Sequence, residues 1–181
     1  MIYLKTNYPI KKFVFIGIFF IVLFSVLMHF LYDLTGKVAI IGIISPINES
    51  VWEHLKLPLL PTIAWWLLAH YILKKENNID FKKWMLSGFS SYIICILFIL
   101  VFHYTYTGAL GIESVFLDIS SLILGVTIGQ ILALKIYKYQ NIKSYHFDIV
   151  FFLFFIIITL FVIFTFKAPD LPIFKEQHSK W

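Results

Sequence analysis

The chain has 181 residues, of which 60% are hydrophobic and only 14% are charged, and its formal net charge is +5. Water-soluble domains carry about 25% charged residues, so this sequence has too few charges to cover its apolar surface in water. All fifteen basic residues are lysines in short clusters, whereas nucleic-acid-binding proteins usually gather arginines along one face. The composition therefore excludes a soluble domain and a nucleic-acid partner, and it indicates an integral membrane protein in contact with lipid.

Long apolar runs separated by short polar linkers predict transmembrane helices, because a helix needs about 20 apolar residues to cross a bilayer. We predict an all-α membrane protein, a single domain over residues 1–181 built as a bundle of about five spans. In the fourth run, Ser121, Gly125 and Gly129 recur at every fourth position and predict close helix packing. The predicted spans are Phe13–Tyr32, Leu57–Leu73, Trp84–His103, Val115–Leu134 and Ile149–Phe166.

The stretch Val38–Ile47 is apolar, but its ten residues are too few to span a bilayer. We expect it to form a re-entrant or interfacial segment. Ser45 followed by Pro46 is typical of a helix start, with the serine as the cap. The second helix is therefore predicted to begin near Pro46 and to run to Leu73, with two prolines kinking it.

The distribution of lysines predicts the orientation of the chain in the membrane. If the N-terminus is cytoplasmic, most lysines fall in the inner linkers, and only Lys37 and Lys56 fall in the outer loops. Short loops rich in lysine remain on the cytoplasmic side. We therefore expect a multi-pass protein of the cell membrane, with its N-terminus cytoplasmic and its C-terminus extracytoplasmic.

The segment from Ser45 to Lys56 is the densest polar cluster beside the apolar runs. On a continuous helix Glu49 and Glu53 would share a face, and Lys56 would follow three residues later. Two carboxylates placed in this way need a proton, the lysine or a metal cation between them. One interpretation is that Glu49 and Glu53 are catalytic, acting as a base or as metal ligands. The other is a structural cluster that Lys56 neutralises.

Other polar side chains are predicted to lie at the same depth near the outer face. Intramembrane ionisable groups are costly, so several of them at one level predict a functional site. Imidazoles and carboxylates without thiolates suit Zn²⁺ or another divalent ion. The candidate metal ligands are His29, Asp33, His54 and His103, and the other predicted pocket residues are Asn48, Trp52, Lys56 and Asp118.

Three functions are compatible with a pocket of this kind. A metal-activated water would hydrolyse a lipid or peptide bond, although the sequence contains no established metal-binding motif. Alternatively, the carboxylates relay protons or cations, but polar residues are sparse toward the inner face. The third function is that of a structural or accessory protein, whose partner is another membrane protein or a second copy of the chain.

The block from Pro46 to Lys56 reads P-I-N-E-S-V-W-E-H-L-K, and a proline-containing tail, residues 166–174, follows the last span. Together they resemble an uncharacterised family of small bacterial multi-pass membrane proteins, classed as a domain of unknown function, that carries a P-x-N-E-S-x-W-E-H-x-K block. The tail departs from that pattern with Ala168, where another proline is expected. The resemblance covers almost the whole chain and implies a bacterial membrane location, but it carries no established activity.

The position of the two outer loops on one side of the membrane is directly testable. In single variants Lys37→Cys and Gly108→Cys, both introduced thiols should react with a membrane-impermeant reagent in intact cells, because both loops are predicted to face outward. Lys83→Cys, in an inner linker, should react only after permeabilisation. Labelling at only one of the two outer positions would show that no shared pocket exists.

Overall fold

The computed structural model describes residues 7–75, 79–139, 141 and 143–176, and within these ranges the chain is helical without extended strands. The predicted all-α class is therefore confirmed. The helices are α1 (Asn7–Leu34), α2 (Ala39–Gly42), α3 (Val51–His54), α4 (Leu59–Leu73), α5 (Phe81–Leu110), α6 (Val115–Tyr139) and α7 (Ser144–Phe166), and a 3₁₀ turn (Pro172–Phe174) follows them.

Four of the described helices, α1, α5, α6 and α7, are long and apolar enough to cross a membrane. Each contains one predicted span and extends beyond it at one or both ends. α4 has 15 residues, a length of about 22 Å, which is short of the about 30 Å of hydrocarbon in a bilayer. The predicted number of about five spans is therefore not confirmed by helix length alone.

The predicted helix start at Pro46 is wrong. The chain forms turns up to Ser50, whose backbone is extended (φ −78°, ψ 153°) and whose Oγ accepts a hydrogen bond from the Glu53 N–H at 3.4 Å. This is the geometry of a helix N-cap, so α3 begins at Val51. A further turn separates α3 from α4, because Pro58 has no N–H to continue the helical ladder.

Ser45, the predicted cap, binds to α1 instead. Its Oγ donates a hydrogen bond to the Met28 carbonyl at 2.6 Å and accepts one from the Tyr32 N–H at 3.2 Å. In an uninterrupted α-helix these two backbone groups bond to each other. The serine hydroxyl is therefore inserted into the ladder of α1, an arrangement that bends helices, and it fixes the segment before α3 against the end of α1.

Two buried tryptophans pack α4 between α1 and α5. Trp65 Nε1 donates to the Phe13 carbonyl near the start of α1 at 3.1 Å. At the start of α5, Trp84 Nε1 donates to the Trp66 carbonyl at 2.7 Å. Because Ser45 contacts the opposite end of α1, α4 returns the chain to the end at which α1 begins. The segment between α1 and α4 and the loop between α5 and α6 therefore lie at the same end of the bundle.

α5 and α6 form the most extensive contact between helices. A Cβ atom on Gly129 would lie 2.5 Å from the Ser91 carbonyl oxygen, and one on Gly125 would lie 3.0 Å from the Cys95 carbonyl oxygen. Such close approach of two backbones requires glycine. The close packing predicted from the spacing of small residues is confirmed at both positions.

A buried ammonium group joins three distant parts of the chain. Lys56 is fully buried, and its Nζ donates to Glu53 Oε2 at 2.6 Å, to the Gly42 carbonyl at 2.9 Å and to Thr165 Oγ1 of α7 at 2.6 Å. Glu53 Oε2 also accepts a hydrogen bond from the Ile47 N–H at 3.0 Å. The three donors of the ammonium are thus all used, and they hold α2, α3 and α7 together.

The contact between α5 and α6 predicts that Gly129→Ala destabilises the bundle. The added methyl group overlaps the Ser91 carbonyl, so we expect the free energy of unfolding to fall by about 1–3 kcal/mol. Denaturation in mixed micelles followed by circular dichroism measures the change. Gly108→Ala is the matched control, because a Cβ there meets nothing within 4 Å. It should be neutral or stabilising, and equal losses in the two variants would contradict this account.

The buried ion pair predicts a larger loss for Lys56→Met. Removing the cation leaves the Glu53 carboxylate buried without its partner, which should cost about 3–5 kcal/mol of unfolding free energy. Lys37→Met removes the exposed partner of Asp33, 3.8 Å away, and should cost less than about 1 kcal/mol. The same denaturation measurement compares the two variants. If they are equally stable, the buried pair does not hold this end of the bundle together.

Candidate metal centre

A cavity of about 660 Å³ lies between α1, α3, α5 and α6, at the end of the bundle where the two loops meet. Its walls combine apolar side chains from the helices with a group of titratable ones. The structure therefore brings together five of the residues that the sequence analysis selected, namely His29, Glu49, His54, His103 and Asp118.

His29, Glu49 and His54, which we call the metal triad, each offer one ligand atom, and these atoms lie within 4.8 Å of one another. His29 Nε2 is 3.6 Å from Glu49 Oε1, and His54 Nε2 is 3.3 Å from Glu49 Oε2. Neighbouring ligands of a tetrahedral zinc ion with bonds of about 2.0 Å are about 3.3 Å apart. Two histidines and one glutamate also form a donor set that catalytic zinc sites use, with a fourth position open to water.

Local structure positions the triad from three parts of the chain. His29 lies on α1 in the turn that Ser45 opens, and its ring stacks on that of His54 with a centroid distance of 5.3 Å. His54 Nδ1 lies 2.8 Å from the Ser50 carbonyl oxygen. When Nδ1–H donates to that carbonyl, Nε2 is the nitrogen available to a metal, which is the usual way in which proteins orient metal-binding histidines.

His54 also favours the ionised form of Glu49. A hydrogen bond to His54 holds the pKa of the Glu49 carboxyl below its ordinary value, and this effect outweighs the opposite effect of burial. An ionised carboxylate therefore faces the His54 imidazole. A bound metal would take the place of the proton between the two side chains.

His103, predicted as a metal ligand, is not one of the three grouped ligands and pairs with Asp118 through Nδ1. The distance from His103 Nδ1 to Asp118 Oδ1 is 3.0 Å, and the Tyr106 hydroxyl donates to the same carboxylate oxygen at 2.9 Å. A neutral imidazole that donates Nδ1–H to a carboxylate carries its lone pair on Nε2, and histidines held in this way act as general acids and bases. The wall of the cavity thus holds a hydrogen-bonded group of His103, Asp118 and Tyr106 as well as the metal triad.

Two of the predicted acidic residues lie outside this arrangement. Glu53 is buried against Lys56, so the contacts support the structural interpretation of this pair rather than a catalytic role for Glu53. It shares no helical face with Glu49, because α3 begins only at Val51, after Glu49. Asp33, predicted as a ligand, is exposed at the end of α1 and faces Lys37.

Asn48 and Trp52, predicted as pocket residues, are not among the residues that line the cavity. Asn48 Oδ1 accepts a hydrogen bond from the Ser50 N–H at 3.0 Å and so shapes the turn before α3. Trp52 lies two residues before His54 on α3 and therefore points away from it. Its ring packs on α7 and on the tail, with centroid distances of 5.1 to 5.4 Å to Phe161, Phe164 and Phe174.

The sequence analysis missed the apolar walls of the cavity. Val22 and Val26 line it together with His29, and the three share one face of α1 at helical spacing. That spacing was the only signal in the sequence. It is hidden because nearly every face of α1 is apolar, so periodicity cannot distinguish a cavity wall from a surface that faces lipid.

Comparison with known families gives one match. The model of a family of unknown function (DUF6512) matches residues 1–180. No curated protein and no solved structure has a significant match to the chain. Since the family model covers nearly the whole sequence, the chain belongs to this family of unknown function.

Proposed function

We propose that the chain crosses the membrane five times, with α3, the following turn and α4 acting together as the fifth crossing. α4 alone is about 22 Å long, and α3 with the following turn adds length toward the about 30 Å that a crossing needs. Support comes from contacts with the two ends of α1, since Ser45, just before this region, binds near Met28 and Trp65 within it binds Phe13. An odd number of crossings places the termini on opposite sides, and the lysine distribution favours a cytoplasmic N-terminus. The metal triad then faces the outer side.

We propose that the protein is a zinc-dependent membrane hydrolase that acts at the metal triad. The observation that carries this proposal is the meeting of two imidazoles and a carboxylate, with ligand atoms within 4.8 Å of one another, in the wall of an open cavity. Zinc lowers the pKa of a bound water to about 7 and polarises a carbonyl group. An ester or amide that enters the cavity would therefore meet both an activated water and a Lewis acid.

The second polar pair supplies the proton transfers of such a reaction. The water oxygen forms a bond to the carbonyl carbon, and the bond from that carbon to the leaving oxygen or nitrogen breaks. The leaving atom takes the bonding electron pair and needs a proton, which His103 can deliver after accepting one from the water. Asp118 stabilises the imidazolium that forms in between. Water is consumed, an acid and an alcohol or amine are released, and nothing is oxidised or reduced.

The two alternative functions explain less of the arrangement. A proton or cation pathway needs polar groups across the bundle, but below the cavity Gly129 contacts the Ser91 backbone, and the fully buried Gln130 donates to the Ser91 hydroxyl. Among the described residues, no continuous line of carboxylates and imidazoles connects the cavity to the opposite end. A purely structural network accounts for Glu53 and Lys56 but not for the open metal triad.

Zinc affinity tests the metal triad. Loss of an outer partner of a metal ligand typically weakens binding about 10–100-fold, so loss of a ligand in His29→Ala, Glu49→Gln or His54→Ala should weaken zinc binding by more than about 100-fold. Competition with a chromophoric chelator in detergent micelles measures the affinity. Asp33→Asn and His70→Ala are the matched controls, since Asp33 faces Lys37 and His70 lies in the second half of α4. Both should bind zinc as the wild type does.

Two further readouts separate a catalytic site from a fortuitous one. Zinc affinity should rise with pH, because His29 and His54 can bind the metal only as neutral imidazoles, and Glu49 is the carboxylate that faces both rings. His103→Gln should retain zinc but lose at least about 100-fold in the rate of ester hydrolysis. Wild-type protein that binds no zinc, or control variants that weaken as much as Glu49→Gln, would refute the metal site. Zinc binding that is independent of His103 and accompanied by no hydrolysis would refute the hydrolase.

A further inference from the structure

The cavity continues beneath the metal triad as an apolar chamber that runs toward the middle of the bundle. On α1, Val22 lies seven residues before His29, so the chamber extends about 10 Å along that helix below the imidazole. The other helices contribute apolar walls over a similar depth. The chamber is lined by Val22, Val26, Leu57, Ile99, Ile119 and Leu122.

The mouth of the cavity has the opposite character. The Glu49 side chain is 63% exposed, so a polar group bound beside it remains in contact with the surface. Asp118 adds a second carboxylate, and no lysine is among the residues that line the cavity within the described part of the chain. Lys37 and Lys56 each face a carboxylate of their own. Proteins usually hold a phosphate group with arginine or lysine donors, and neither lines the cavity within the described part of the chain.

We propose that the substrate is a single-chain acyl ester or amide with an uncharged head group. This inference rests on the proposed hydrolase function and names its substrate class. The acyl chain lies in the apolar chamber, the carbonyl group lies at the metal triad, and the head group projects past Glu49. A volume of about 660 Å³ falls within the roughly 300–1,000 Å³ of small-molecule sites and accommodates a ten-carbon acyl chain. Cleavage releases a fatty acid and the free alcohol or amine, with the proton route given above.

Filling the chamber tests this assignment separately from the metal chemistry. The probes are decanoylglycerol, which can be cleaved, and decyl glyceryl ether, which cannot. In Leu122→Trp and Ile119→Trp the indole occupies the chamber, so binding of the radiolabelled ether should weaken by at least about tenfold, while zinc affinity stays at the wild-type value. Ile119 is itself half exposed, so its variant tolerates the larger side chain even if Leu122→Trp fails to fold. Leu124→Trp, on the lipid-facing side of α6, is the matched control and should bind the ether normally.

The head group is tested by competition. Decanoyl lysophosphatidic acid, which carries the same chain and a phosphate, should displace the ether at least about tenfold more weakly than decanoylglycerol does, because its charge meets Glu49 and Asp118. Equal displacement by the two lipids would overturn the assignment of an uncharged head group.

The outcomes distinguish this inference from the function on which it rests. If the protein does not bind the ether, or if the two tryptophan variants bind it normally, the chamber is not an acyl site. The proposed hydrolase function still stands if zinc-loaded protein cleaves a short water-soluble ester. If the ether binds and the tryptophan variants abolish its binding, but zinc-loaded wild type leaves decanoylglycerol intact, the hydrolase is wrong. Binding, cleavage and their joint loss in Leu122→Trp and Ile119→Trp support both.

Discussion

The arrangement at the open end of the bundle depends on the buried ammonium of Lys56. A charge without partners in a medium of low dielectric is very unfavourable, so the chain must place acceptors around it. Glu53, the Gly42 carbonyl and Thr165 fill this role, and they come from α3, α2 and α7. Because these contacts hold the irregular segment between α1 and α4 in one conformation, they also determine where Glu49 and His54 point.

The same segment gives two nearby carboxylates different environments. Because α3 begins at Val51, after Glu49, the two carboxylates do not follow one helical repeat, and one side chain turns into the interior while the other turns toward the cavity. Glu53 Oε2 accepts hydrogen bonds from Lys56 and from the Ile47 N–H, so this oxygen is committed to structural contacts. Glu49 is largely exposed and is opposed only by imidazoles, whose charge depends on protonation or on a metal. A site that exchanges a proton for a metal needs ligands of this second kind.

α6 serves both as a close packing surface and as a cavity wall. At Gly125 and Gly129 its backbone approaches α5 so closely that no side chain fits between them. Leu122, one turn toward the open end, and Asp118, two turns toward it, line the cavity instead. Tight contact in one half of the helix pair keeps the other half rigid while it encloses an open space, and rigid walls are what a binding site requires.

The amino-acid sequence by itself determined the all-α class, four of the long helices and the end of the bundle at which ionisable groups gather. These features follow from the lengths of apolar runs and from the alternation of direction between successive helices, which are local properties of the chain. The spacing of Ser121, Gly125 and Gly129 determined the packing of α6 for the same reason. The sequence also selected His29, Glu49 and His54, since titratable groups beside apolar runs are rare.

Only the tertiary structure decided how those groups are paired. Lys56 Nζ pairs with Glu53 in a site that Thr165 and the Gly42 carbonyl complete. The contact between Lys56 and Thr165 joins residues more than a hundred positions apart, so local spacing cannot predict it. Ser45 was predicted as a cap from its neighbour Pro46, but it binds the backbone of α1, because a buried hydroxyl takes whatever partners the fold brings to it. The cavity could not be foreseen either. Its apolar walls and the exposed apolar surfaces of the helices have the same composition, and they differ only in what the folded chain places opposite them.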